Sequence, residues 1–258
     1  MDSKNSLEKN WDNYDGSLPI KMHHGFSLYL RPKCDYSKKR FLYKIAETNE
    51  FSYLSELNMQ NFVCFDIGSN IGYWSKYLLE IAKVKEVHSF EPDEETFKFL
   101  KNNLIEYPNV RINQTAVGNI NGYLKLYVDP NHSGDNRPQY TSGRKKINVP
   151  CCTIDSYILE AKIDQLDFLK IDIQGGEISA IEGAVKSIKR FRPLIVIEIS
   201  PEFNSSNDIK INDFITKFVE DFDYLALSIE SGIPIFLNKD QLKSIKGNIF
   251  LHPQKNKG

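Results

Sequence analysis

Phe62-Val63-Cys64-Phe65-Asp66-Ile67-Gly68-Ser69-Asn70-Ile71-Gly72-Tyr73-Trp74 is the stretch on which the fold turns. An apolar run ends in an acid, passes through a loop with two glycines, and continues at once into a helical pattern that opens Tyr73-Trp74-Ser75-Lys76. That is a strand, a tight turn and a helix start. Downstream, short apolar runs keep alternating with amphipathic segments, the pattern of repeated βα units around a mainly parallel sheet. The spacing predicts an α/β fold with a doubly wound sheet.

The predicted strands are 62–65, 86–90, 110–114, 168–171 and 194–199. Leu194-Ile195-Val196-Ile197-Glu198-Ile199 is almost wholly apolar and β-branched, as a central strand covered on both faces should be. Helices are expected over 73–82, 92–105, 153–159, 175–189 and 211–220, with Pro92 at a first helical position, where its missing N–H costs nothing. In the tail, 224–229 and 248–251 read as an antiparallel strand pair, with Ser231-Gly232-Ile233-Pro234 as a turn. Residues 123–128 and 147–149 are strand-like and flank a polar loop, Asp129 to Pro138, long enough to suggest function. Upstream, a helix is expected from about Ser37 to Glu56. Residues 1–60 therefore read as an N-terminal helical cap and 61–258 as one globular ligand-binding domain.

Composition narrows the function classes. With 33 Lys+Arg against 34 Asp+Glu the net charge is −1, which argues against nucleic acid as a partner. No apolar run approaches the ~18 residues of a membrane span, and the N-terminus lacks the order of a signal peptide. The four cysteines, Cys34, Cys64, Cys151 and Cys152, show no C-x-x-C spacing, so a reducing, cytoplasmic setting is expected.

A strand-to-helix turn of this kind lies at the carboxyl ends of the strands, where doubly wound sheets bind ligands. A dinucleotide fingerprint would need glycine at 68, 70 and 73, and only Gly68 complies. Asp66 would also set a carboxylate beside a pyrophosphate, whereas a ligand with a cationic amino group and sulfonium would suit it. The expected cofactor is S-adenosylmethionine, with Asp66, Gly68, Asn70 and Gly72 as its loop. Glu91, ending the second strand 19 residues after Gly72, can accept from both hydroxyls of a ribose or cap the next helix. Ala116, in Thr115-Ala116-Val117-Gly118, leaves room for an adenine ring.

A second acidic cluster follows in Leu169-Lys170-Ile171-Asp172-Ile173-Gln174-Gly175-Gly176-Glu177. Asp172 closes a strand and Glu177 opens a helix, so both fall on the ligand rim, with helix capping as their structural alternative. Taken in order, Phe65 to Tyr73, Phe90-Glu91-Pro92-Asp93, Thr115 to Gly118, Thr153-Ile154-Asp155 and Leu169 to Glu177 resemble the FkbM family of S-adenosylmethionine-dependent methyltransferases over about residues 60–200. The resemblance implies a class I methyltransferase fold and O-methylation of sugars or of natural-product hydroxyls. It carries cofactor roles onto Asp66, Gly68, Asn70, Gly72, Glu91 and Asp172. Gly176 departs from it, since the family more often has alanine there.

Methyl transfer from a sulfonium is an in-line displacement that needs alignment and exclusion of water. A hydroxyl acceptor also needs a base, or a divalent cation that acidifies it. Asp172, Glu177, His132 and Glu198 are the candidate catalytic residues. Asp172, Glu177 and Glu198 together could also supply oxygen ligands to a metal, which spacing alone does not establish. Tyr29, Tyr36, Tyr73, Trp74 and Tyr140 could stack on a sugar ring, although such aromatics more often pack. The expected partner is a small-molecule or glycan acceptor. The competing readings are an NAD-dependent epimerase or dehydrogenase, and a non-catalytic module that keeps the fold.

Overall fold

The computed structural model describes residues 8–200 and 210–254. In chain order the elements are β1 (Ile20–Lys21), β2 (Ser27–Leu28), α1 (Asp35–Tyr43), α2 (Thr48–Ser55), β3 (Val63–Ile67), α3 (Tyr73–Glu80), β4 (Glu86–Phe90), α4 (Glu94–Leu104), β5 (Val110–Asn113), β6 (Ala116–Val117), β7 (Gly122–Val128), β8 (Lys145–Cys152), α5 (Ile154–Glu160), β9 (Phe168–Ile171), α6 (Glu177–Glu182), α7 (Val185–Phe191), β10 (Leu194–Ile199), α8 (Ile211–Asp221), β11 (Tyr224–Glu230), β12 (Ile233–Phe236), α9 (Lys239–Leu242) and β13 (Gly247–Pro253).

Eight strands form the main sheet in the order β12-β11-β13-β10-β9-β3-β4-β5. The run from β10 to β5 is parallel, and β13 enters antiparallel between β10 and β11. From β3 the chain winds outward through β4 to β5, then returns to build β9 and β10 on the other side. The order therefore reverses between β3 and β9, and the carboxyl ends of those two strands open the crevice.

Strand alternation divides the core. Val63, Phe65, Ile67, Leu169, Ile171, Ile195 and Ile197 face one apolar layer with α5, α6, α7 and α8. Cys64, Phe168, Leu194 and Val196 face a second layer with α3, α4 and the N-terminal residues Trp11, Met22, Phe26 and Phe51. Both faces are covered, which explains why β10 shows no polar alternation. Beyond β5, a three-stranded sheet in the order β6-β8-β7 pairs the segments on either side of the long polar loop.

Several elements differ from the sequence reading. The helix expected over 37–56 is two, broken where Lys44 and Glu47 take positive φ of 55° and 53°. The 175–189 helix is likewise two, α6 and α7, with Gly183 between them pressed against the Gly118 carbonyl. Pro92 lies outside α4, whose cap is Asp93 accepting from the Thr96 amide. The tail gives three antiparallel strands, because Ile233-Pro234 begins an edge strand after a turn at Ser231-Gly232. Pro234 is tolerated there because an edge strand has an unpaired side.

Candidate cofactor and acceptor cavity

A cavity of about 560 Å³ opens over the carboxyl ends of β3, β4 and β9. The size is within the range of small-molecule sites. Gly68, Asn70, Glu91, Ala116, Asp172 and Glu198 all line it, so six residues spread over 131 positions of sequence meet at one place.

Gly68 is required by both conformation and space. It has φ +79°, and a Cβ there would sit 2.0 Å from the Asp172 carbonyl oxygen. Asn70 is also left-handed, at φ 51°, and its Oδ1 accepts from the Ile71 amide at 2.8 Å, a local bond that favours this conformation. Glu91 is only 5 % exposed and ties the loop to β4: Oε2 accepts from the Asn70 amide at 3.0 Å and Oε1 from the Asp93 amide at 2.9 Å. Each carboxylate oxygen keeps a further lone pair, which two ribose hydroxyls could use. Burial pushes its pKa up to about 8, against the pull of those amides. Ala116, Val117 and Gly118 form a small-residue wall suited to a flat ring, and a Cβ at Gly118 would close to 3.2 Å from Cys151 Sγ.

On the β9 side, Lys170 Nζ is 3.0 Å from Asp172 Oδ2, and Gln174 Nε2 donates to Asp172 Oδ1 at 3.0 Å. Gln174 also donates to Glu198, which sets the Glu198 carboxyl beside that of Asp172. Burial opposes the charge on Asp172, but Lys170 and these hydrogen bonds outweigh it and hold the carboxyl below its ordinary range. Glu198 faces that charge and is half-buried, and its pKa is pushed up to about 9. The coupling thus favours the charged form on Asp172 and the neutral form on Glu198.

Four predicted residues do not line the cavity. Asp66 points from β3 toward α3, where Oδ2 accepts from Ser75 Oγ at 2.6 Å and Oδ1 has no partner among the described residues. Strand alternation sets it on the face of Cys64, beneath the loop. Gly72 serves as the αL residue before α3, at φ 91°. Glu177 is fully buried and accepts from the Gly175 and Ile173 amides, so it braces the β9–α6 turn. His132 stays outside, although its neighbours Ser133 and Gly134 line the wall. Among the described residues no cluster of three or more His, Cys, Asp or Glu could hold a metal ion.

Sequence reading missed the wall contributed by residues 1–60, namely Arg40 and Glu47, as well as Lys170, Gln174 and Gln139. Of the five aromatics suggested for stacking, Tyr36 and Trp74 line the cavity and Tyr29, Tyr73 and Tyr140 do not. Gly176 also lines it, and a methyl there would press only on the flexible end of Ile173, 2.9 Å away. Alanine at this position is thus accommodated by a side-chain shift. Asn136 Nδ2 and Gln139 Oε1 are buried on the wall with no partner among the described residues.

The small-residue wall, the buried Glu91 and the acid pair beyond it suit an adenosyl group with a reactive centre near Asp172. The signature of the methyltransferase FkbM domain matches residues 66–226. A 2-O-methyltransferase, NoeI, of Sinorhizobium fredii is 23 % identical over 147 residues, which are 50 % of this chain and 60 % of that protein. The match thus spans less than two thirds of that relative. The crystal structure of a methyltransferase FkbM from Methylobacillus flagellatus superposes with TM-score 0.51 at 18 % identity, covering 84 % of this chain and 55 % of that one. An O-methyltransferase from Bacillus cereus, solved with S-adenosylhomocysteine, gives 0.45 at 15 % identity over 81 % of this chain and 82 % of that one. With its signature matched over more than half its length, the chain belongs to the methyltransferase FkbM domain family.

Proposed function

We propose that this enzyme O-methylates a hydroxyl of a sugar, glycan or natural-product acceptor, with Asp172 as general base. The observation that carries the reading is the acid pair at the cavity wall: Asp172 held between Lys170 and Gln174, with the Glu198 carboxyl reached by the same Gln174 amide. When bound, S-adenosylmethionine supplies an electrophilic methyl group. Asp172 takes the proton of the acceptor hydroxyl as its oxygen forms the new bond to the methyl carbon. The electron pair of the broken carbon–sulfur bond stays on sulfur. Lys170 offsets the charge that moves through the pair, and Glu198 and Gln174 keep the Asp172 carboxylate oriented. Glu91 and Ala116 hold the ribose and adenine ends, with Gly68 and Asn70 shaping the loop between. A 2-O-methyltransferase among the relatives supports oxygen as the atom methylated.

No helix among the described residues is long and apolar enough to cross a membrane. The four cysteines are free, three of them buried, which supports work in a reducing compartment such as the cytoplasm. The direct test is release of S-adenosylhomocysteine with a panel of glycans, nucleotide sugars and polyketide alcohols. Transfer confined to amines or carbon acids would overturn the oxygen assignment.

A further inference from the structure

Only two cationic side chains, Lys170 and Arg40, line the cavity among the described residues. Lys170 is committed to Asp172. Arg40 has no carboxylate at ion-pair distance among the described residues. Its guanidinium carbon lies over the Tyr36 ring, 3.4 Å from the centroid, and 5.6 Å from the ring centroid of Tyr73. Among the described residues its guanidinium makes one hydrogen bond, a long one of 3.4 Å from Nη1 to the Tyr36 carbonyl, and its Nε is buried with no partner. Tyr36 is fixed from behind, since a Cβ on Gly134 would come within 2.6 Å of it. A planar fork held on an aromatic face with its donors unspent is built to receive an oxyanion.

The place of Arg40 says which oxyanion. Along the cavity, Ala116 and Gly118 mark the adenine end, Glu91 the ribose, and Asp172 with Glu198 the acceptor side. The amino-acid arm must leave the ribose past Asn70 and Trp74, which flank the start of α3 and line the same cavity as Arg40. The positive end of the α3 dipole adds to the field there. We propose that Arg40, from the N-terminal segment outside the matched family signature, is the receptor for the α-carboxylate of the cofactor's methionine arm. The N-terminal segment thereby completes the cofactor site rather than only covering it. This rests on the reading that the cavity binds an adenosyl cofactor.

The test is calorimetry with S-adenosylhomocysteine and with 5′-methylthioadenosine, which shares the nucleoside and thioether but lacks the amino-acid arm. Arg40→Gln should weaken the homocysteine ligand roughly tenfold or more while leaving methylthioadenosine within about twofold. Arg40→Lys, which keeps the charge without the fork, should fall between. Unchanged homocysteine affinity in Arg40→Gln overturns the proposal, including the case where only KM for an acidic acceptor rises, which would make Arg40 an acceptor residue. Equal loss for both ligands also overturns it, because Arg40 would then merely shape the cavity. Wild-type protein that binds neither ligand would overturn the adenosyl reading itself.

Discussion

Lys170 and Asp172 lie two residues apart at the end of β9, and the strand period turns both side chains to one face, where ammonium and carboxylate meet at 3.0 Å. Lys170 is 2 % exposed, and its only ion pair among the described residues is with Asp172. Asp172→Asn should lower kcat by about 10²-fold or more, the usual worth of a general base. Affinity for S-adenosylhomocysteine should stay within a few fold, since the proposed ribose and adenine contacts run through Glu91 and Ala116. A kcat within twofold of wild type, measured on the true acceptor, would remove Asp172 as base.

The same ion pair predicts a pH effect. Lys170 favours the charged form of Asp172, so Lys170→Met should raise the Asp172 pKa. A base works only when deprotonated, so the acid limb of the kcat profile should move to higher pH. A limb that stays in place while kcat falls would show that Lys170 acts on something other than this carboxyl.

The ligand-free protein should lose stability between pH 7 and pH 9. Three acids that line the cavity are raised: burial lifts Glu47 to about 7 and Glu91 to about 8, and the Asp172 charge together with burial lifts Glu198 to about 9. A carboxyl whose folded pKa lies above its unfolded one, near 4.3, contributes stability that is full below that value and is lost as pH rises to the folded pKa. His88, held down at about 3 by burial, has the opposite sign but acts below its unfolded value near 6.5, outside this window. Thermal melts at pH 7, 8 and 9 should show Tm falling stepwise. A flat or rising Tm would mean that these acids are ionised already at pH 7.

These groups also show what sequence could and could not convey. The βα alternation and the glycine loop are local signals, and they placed Gly68, Asn70, Glu91, Ala116 and Asp172 at the strand ends that form the cavity. The direction of a side chain at a strand end is less readable. Asp66 and Asp172 both close strands, yet Asp66 is still inside the ladder, paired with Lys170, and points to α3. Asp172 is one residue past β9 and turns into the cavity. Arg40 and Glu47 were invisible for another reason. They come from a segment read as one continuous helix, and the break at Lys44 to Glu47 that splits it is not signalled by its apolar spacing.

Gly68→Ala should be severe, because the added methyl meets rigid backbone: the Asp172 carbonyl oxygen would lie 2.0 Å away. The left-handed φ of +79° adds strain of about 1–3 kcal/mol, so Tm should drop and adenosyl binding should be lost together. Gly176→Ala makes the control, since it presses only on the end of Ile173. Folded Gly68→Ala protein with wild-type affinity would refute the close approach of β3 and β9 on which the site depends.

Ser133 joins the long loop to the cofactor turn. Its Oγ donates to Asn70 Oδ1 at 3.0 Å and sits 3.3 Å from Cys34 Sγ, while Asn131 accepts from the Asp35 amide at 2.7 Å. Asp135, paired with Arg137 and Arg144, holds the loop from its other side. Ser133→Ala removes the link to Asn70, but Oδ1 keeps the Ile71 amide and is not orphaned. The cost should therefore stay near the ordinary worth of a hydrogen bond, about 0.5–1.5 kcal/mol. Hydrogen exchange should quicken over residues 129–138, and S-adenosylhomocysteine should bind a few fold more weakly because Asn70 also presents its amide to Glu91. Faster exchange in the loop with unchanged ligand affinity would show that the loop is anchored on the site without supporting it.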